Sequence, residues 1–331
     1  VALHRVRHAV GRLARGLHEL RPRRHDRLER LDAGRRDRDG SDDHARPLRF
    51  AFVAGLAAAL LSACSPLAVL NATVPAAPGV TVLRDIPYGD GPRQKLDVYE
   101  PAGGGAGRPL VVFFYGGSWK FGDRADYRFM GLALARQGFV AVVPDYRVFP
   151  EAPFPVFLQD AAAAVAYAAA HSAEFGADAR PFVMGHSAGG YIALMLALDP
   201  AWLAAAGFDR AKLSGAIGLA GPYDFHPPDY PDIAAVFAGS TDEQTQPIRF
   251  VDGHAPPLLL LQGEADDTVR PYNARNLVAA VTKAGGTADA RFYPDVGHIG
   301  LLLAFTPLFE SKARALDDAA AFIRERSAAV R

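Results

Sequence analysis

The stretch VMGHSAGGYIALML, Val183 to Leu196, decides how this chain is read. With Phe182 before it, its opening is a short apolar run that reads as a buried strand, Phe182–Gly185. His186 and Ser187 follow, then three small residues and an apolar helical pattern over Ala188–Leu198. Gly185 and Gly189 stand two residues either side of Ser187. A turn that tight from strand to helix leaves no room for a bulky flanking side chain, and it lifts the serine hydroxyl clear of the sheet. A serine at a helix start is also an ordinary cap. The choice between nucleophile and cap rests on what the rest of the chain supplies.

Working outward, strand and helix signals alternate. Val80–Asp85 and Lys95–Tyr99 read as an antiparallel pair around the turn YGDGPR. Leu110–Tyr115, Phe139–Pro144, Ala216–Ala220, Pro257–Gln262 and Ala290–Tyr293 are further strands. The runs LVVFFY, FVAVVP and PLLLLQ among them suit strands covered on both faces. Helices fit Arg124–Gln137, Pro155–Ala173, Pro271–Ala284 and Phe309–Arg326. The sequence therefore predicts an α/β class with a mostly parallel central sheet and helices on both faces. Residues 221–256, rich in Pro and Asp, read as an irregular, cap-like insertion. The glycine run Gly103–Gly107 precedes no helix and reads as a loop, not a phosphate cradle.

A nucleophilic serine needs a base, a group to orient that base, and donors for the developing oxyanion. Asp266 and Asp267 follow the strand PLLLLQ, at a carboxyl end where open α/β sheets build their sites. His298 follows the last strand in DVGH. His186 adjoins the serine and is read as pointing elsewhere; His171, His226 and His254 follow no strand. The segments of Asp266 and His298, with the YGGSW turn after the strand Leu110–Tyr115 as a third, offer partners to Ser187, which favours the nucleophile over the cap.

Residues 80–326 resemble the α/β-hydrolase superfamily through YGGSW, PDYRVFPEAPFP, GHSAGG, GEADDTV and DVGHIG. They look most similar to bacterial carboxylesterases of the hormone-sensitive-lipase and feruloyl-esterase-like type, a group that includes kynurenine formamidases. The resemblance implies an α/β-hydrolase fold and the order Ser187, Asp266, His298 for nucleophile, acid and base, with the spacing G-x-x-D-x-x-V selecting Asp266 over Asp267. YGGSW resembles an HGGG-type loop with Tyr115 in place of His. That likeness implies backbone donors at Gly117, Ser118 and Ala188 and places Trp119 in the substrate pocket. Asp145 and Arg147 resemble a structural pair. The implied activity is hydrolysis of small to medium carboxylic esters without metal or cofactor. Amide or formamide hydrolysis, and a non-catalytic binding protein on the same scaffold, are the alternatives.

Composition narrows the partners. The first 49 residues hold 14 arginines, 8 acids and 5 of the 10 histidines, whereas the part after Ser65 carries 22 basic and 28 acidic residues. A mildly acidic body argues against a nucleic-acid surface. Residues 1–45 are too charged to bury a core and read as disordered, or as a lead outside the natural protein, since every lysine and methionine lies further on. Residues 46–64 place two arginines before the apolar run Phe50–Ala63, as a signal peptide does. The run ends in LSAC, which resembles a lipobox and implies lipidation at Cys64, the sole cysteine. Residues 65–79 read as a tether, residues 80–331 as the hydrolase domain, and the expected place is the bacterial envelope, anchored in the outer membrane and facing the periplasm.

Overall fold

The computed structural model describes residues 67, 71, 74, 75 and 77–329. The readings of residues 1–45 and 46–64, Cys64 included, lie outside the described residues. β1 (Thr81–Pro87) and β2 (Lys95–Glu100) form the expected antiparallel pair. β3 (Leu110–Phe114), β4 (Val140–Pro144), β5 (Phe182–His186), β6 (Gly215–Leu219), β7 (Leu258–Gly263) and β8 (Ala288–Tyr293) complete one sheet. Its order is β1-β2-β4-β3-β5-β6-β7-β8. β2 joins β4 antiparallel, and every later pairing is parallel.

Every residue of β3, β4, β5, β6 and β7 is buried, as strands covered on both faces must be. The covering helices are α1 (Arg128–Arg136), α2 (Val156–Ala170), α3 (Ala188–Leu198) and α4 (Pro200–Ala205), then α5 (Pro231–Ala234), α6 (Asp242–Thr245) and α7 (Tyr272–Lys283). α8 (His298–Leu303) and α9 (Ala315–Ala328) close the chain. α3 is apolar all round and wholly buried, which makes it a core helix and not an amphipathic one.

Two expectations need correcting. The first concerns the helix ends: 3-10 turns at Arg124–Tyr127 and Glu310–Lys312 stand where α-helix was expected. Next, α4 was missed because Pro200 reads as a breaker, yet it occupies the first helical turn behind an Asp199 cap. The segment 221–256 is a run of single helical turns with Phe225, Val236 and Phe237 buried. Residues 65–79, read as a tether, are described only in part. Val74 is buried, the Asn71 side-chain amide donates to Ala125 O at 2.8 Å, and the Phe129 amide donates to Asn71 Oδ1 at 3.0 Å.

The start of α3 meets the ends of two strands with no side chain between. A Cβ built on Gly189 overlaps the Phe114 and Tyr115 carbonyl oxygens, and one on Gly185 overlaps the Gly189 carbonyl. Only glycine permits this approach. Gly189→Ala is expected to cost about 3 kcal/mol or more, as overpacking against rigid backbone does. Denaturant unfolding of the variant beside wild type measures it; equal midpoints refute the packing argument.

Candidate active site

Ser187 sits between β5 and α3 with φ 55° and ψ −120°, a strained conformation for a residue carrying a Cβ. Its amide donates to Leu219 O at 2.9 Å, tying the turn to the end of β6. Its side chain does not cap α3. Gly116 lies against it, so that a Cβ there would stand 3.1 Å from Ser187 Cβ.

Two loops at the carboxyl ends of β7 and β8 carry the acid and the imidazole. The Ala265 amide donates to Val296 O at 3.1 Å and the Glu264 amide to Tyr293 O at 2.9 Å, so backbone bonds hold one loop against the other. Asp266 is buried, while Asp267 is exposed to solvent. Asp266 Oδ2 meets His298 Nδ1 at 2.8 Å. Gln262 Nε2 donates to the same oxygen at 3.1 Å, and the Thr268 and Val269 amides donate to Oδ1 at 3.0 and 2.9 Å. A carboxylate with these neutral donors stays oriented, and it holds His298 with its proton on Nδ1 and Nε2 free to accept. Among the described residues no hydrogen bond joins His298 Nε2 to the Ser187 hydroxyl; such contacts commonly close only around substrate.

On the other side, Ser118 and Trp119 take φ 54° and 56° in the turn after β3. The Gly117 carbonyl accepts from the Lys120 and Phe121 amides at 2.9 Å each, which shapes that turn. Ser118, Trp119, Ser187 and Ala188 line one pocket of about 270 Å³ with Phe225 and Tyr230. Gly117 is not among the lining residues; it lies where the loop turns and packs on Phe121 O. The amides of Gly117, Ser118 and Ala188 donate to no described protein acceptor. Trp119 is buried, stacked 6.2 Å from Phe225 and edge-on 4.9 Å from Phe237.

Asp145 and Arg147 do not pair with each other. Asp145 pairs with Arg124 and accepts from the Tyr115 hydroxyl at 2.9 Å and the Arg124 amide at 2.7 Å. Burial raises the Asp145 carboxyl above the usual carboxylate range, Asp123 adds to that, and the Arg124 and Tyr115 contacts oppose it. Arg147 turns away to Asp160, a buried acid on α2, and holds it through Nε and Nη2 at 2.9 and 2.8 Å. Each residue thus has its own partner, Arg124 for Asp145 and Asp160 for Arg147.

His186 also departs from its reading. Its ring lies 4.7 Å from the His298 ring, and its Nε2 stands 3.3 Å from the His298 carbonyl oxygen. Adjacency to Ser187 in sequence, not any motif, was the signal available. The likeness to known families is now informative. The BD-FAE family model matches residues 96–281, more than half of the chain. This chain belongs to the BD-FAE family. The BD-FAE match takes in Ser187 and Asp266, and His298 lies beyond it. The chain is 29% identical over 260 residues to an isoprenylcysteine alpha-carbonyl methylesterase of Arabidopsis thaliana, covering 72% of this chain and 61% of that one. It is 33% identical over 224 residues to esterase LipC of Mycobacterium tuberculosis, covering 59% and 54%. A kynurenine formamidase of Danio rerio is 30% identical over 146 residues, 44% of this chain and 47% of its own. The chain thus spans about half to three fifths of the length of these curated relatives. Among solved structures, Thermogutta terrifontis esterase 2 superposes with a TM-score of 0.62 at 24% identity, covering 76% of this chain and 96% of that one. Esterase B from Lactobacillus rhamnosis superposes with a TM-score of 0.68 at 20% identity, covering 85% and 96%. Both likenesses establish the α/β-hydrolase fold.

Burial, and then the neighbouring His298, hold the His186 imidazole well below the ordinary histidine value of about 6.5. The folded protein keeps His186 neutral where the unfolded chain begins to protonate it. That contribution to stability is complete above about pH 6.5 and is lost as the pH falls below it. Melting temperature followed from pH 7.5 to 5 is expected to fall less steeply in His186→Gln than in wild type. Superimposable slopes refute the buried neutral imidazole.

Proposed function

We propose that this chain is a serine carboxylesterase that hydrolyses small to medium carboxylic esters through an acyl-enzyme. The observation carrying the reading is the 2.8 Å bond from Asp266 to His298, on loops beside a strained Ser187 whose pocket wall includes the free amides of Ser118 and Ala188. In this reading the Ser187 hydroxyl gives its proton to His298 Nε2 as its oxygen attacks the ester carbonyl. The amides of Ser118 and Ala188 take the oxyanion charge, with Gly117 as the further donor of the turn. His298 then protonates the leaving alcohol, and later draws a proton from the water that attacks the acyl-enzyme. Asp266 holds the imidazole and stabilises the imidazolium. No step calls on a metal or cofactor.

Amide or formamide hydrolysis is the second reading, and the partial likeness to a kynurenine formamidase supports it. A pocket of about 270 Å³ with Trp119, Phe225 and Tyr230 in its wall suits a short, apolar acyl or alcohol group. Envelope anchoring through Cys64 belongs to the same proposal; its support is the run of two arginines, apolar residues and LSAC. The mass of the mature N-terminus, lipidated at Cys64 or not, tests it.

Ser187→Ala and His298→Ala are each expected to lower turnover of p-nitrophenyl esters by at least about 10³-fold. Within a chain-length series, acetate and butyrate are expected to exceed laurate by roughly 10-fold in kcat/KM, a ratio the small pocket imposes. A fluorophosphonate that fails to label wild type returns the protein to a binding role, and one that labels Ser187→Ala equally refutes Ser187 as the nucleophile. A formamide turned over faster than every ester favours the second reading.

A further inference from the structure

The loop from Gly116 to Phe121 carries Ser118 to the pocket, and its direction depends on where its two ends are held. Both ends meet one side chain. Arg93, in the turn between β1 and β2, donates from Nη2 to the Tyr115 hydroxyl at 3.0 Å and to Gly122 O at 2.5 Å. Its Nε donates to Tyr146 O at 3.0 Å. Tyr115 passes the connection on, donating from its hydroxyl to Asp145 Oδ1 at 2.9 Å. Its ring is held between Tyr146 and Tyr127, with centroids 4.6 and 5.3 Å away. The Tyr146 hydroxyl donates to Tyr115 O at 2.8 Å. Gly122 packs so closely that a Cβ there would stand 2.6 Å from the Tyr115 ring.

We propose that Arg93 is a positioning residue for the oxyanion loop: its guanidinium clamps Tyr115 and Gly122 together and so aims the Ser118 amide. The inference rests on the esterase reading of Ser187. Arg93 acts through the loop and touches no reacting atom. A guanidinium suits the task because its planar fork reaches three acceptors at fixed angles, which an ammonium on a flexible stem does not. Tyr115 supplies the hydroxyl that the fork grips and that Asp145 accepts from. A donor aimed at an oxyanion works through its direction in the transition state, so a slack clamp spares substrate binding and slows chemistry.

The test uses Arg93→Gln, Arg93→Lys and Tyr115→Phe, with rates referred to folded protein by circular dichroism. Arg93→Gln and Tyr115→Phe are expected to lower kcat roughly 10- to 100-fold with KM within about twofold. Affinity for a trifluoromethyl ketone, which forms a tetrahedral adduct on the serine, is expected to fall in parallel. Arg93→Lys, keeping charge without the fork, is expected to fall between them and wild type. The double variant Arg93→Gln, Tyr115→Phe is expected to be less impaired than the product of the two single losses, since both cut one connection. A purely structural role lowers the melting temperature and leaves kcat and ketone affinity of the folded protein within about threefold; that result overturns the proposal. If Arg93→Gln does not fold, Tyr115→Phe and Arg93→Lys decide by the same criteria. Full activity in Ser187→Ala sinks the esterase reading itself, and is a different result from a clamp that proves idle.

Discussion

A contact of backbone on backbone governs the arrangement of this protein. At its first turn α3 runs so near the ends of β3 and β5 that carbonyl oxygens of Phe114, Tyr115 and Gly189 occupy the places where Cβ atoms would otherwise stand. Packing there is as dense as an organic crystal and cannot deform by small steps. Fixing α3 fixes Ser187 at positive φ, because the chain must reverse between β5 and the helix within one residue. It also draws the turn after β3 beside the serine, which brings Ser118 and Ala188 into a common pocket wall. The strain at Ser187 is held by the buried apolar helix behind it, all of whose residues are excluded from solvent.

The two flanks of the serine are secured by different physics. On the histidine side the restraint is neutral: backbone bonds between the loops after β7 and β8, and the Gln262 amide on Asp266. In the proposed mechanism such a neutral frame leaves the Asp266 carboxylate free to answer the charge that develops on His298. On the other side the restraint is ionic. Arg93 and Arg124 converge on Tyr115, Asp145 and Asp97, and both acids are buried. Burying charge is expensive, and such clusters contribute less to stability than their contact count suggests. Their use is to specify one geometry: Arg124 reaches Asp97 and Asp145 at once, and removing it takes the paired cation from buried Asp145.

That difference explains what could be read from residues alone. Ser187 was legible because its requirements are local: glycines at fixed offsets, a strand before, a helix after. Asp266 was legible because it follows the apolar run PLLLLQ; His298 follows the weaker strand signal of Ala290–Tyr293, and its reading drew on the order of the other segments. The ionic side was not. Arg93 looks like any arginine in the polar turn YGDGPR, and nothing nearby shows that it reaches residues 22 and 53 positions away. Asp145 and Arg147 misled for the same reason: their partners, Arg124 and Asp160, lie 21 and 13 positions away in sequence. The burial of His186 against His298 depends on a contact across 112 residues. Helix α4 was hidden by Pro200, a residue that ends helices and also begins them.

The pocket wall obeys weaker rules than the chemistry it serves. Segment 221–256 has no regular element longer than a single turn or so, yet Phe225 within it stacks on Trp119. Its place is set by a few side-chain amides. Asn273 Oδ1 accepts from the Tyr223 and Asp224 amides at 2.8 and 2.9 Å, and Gln246 Oε1 accepts from the Phe225 amide at 2.6 Å. These anchors lie in α7 and in the segment itself, apart from the Asp266–His298 pair and from the turn after β3. Residues of this segment can therefore change size and polarity while the Gly185–Gly189 contact, the carboxylate and the imidazole stay where they are. Relatives that share the sheet and the serine turn need not share a substrate, because the parts that choose it hang on different bonds from the parts that cleave it.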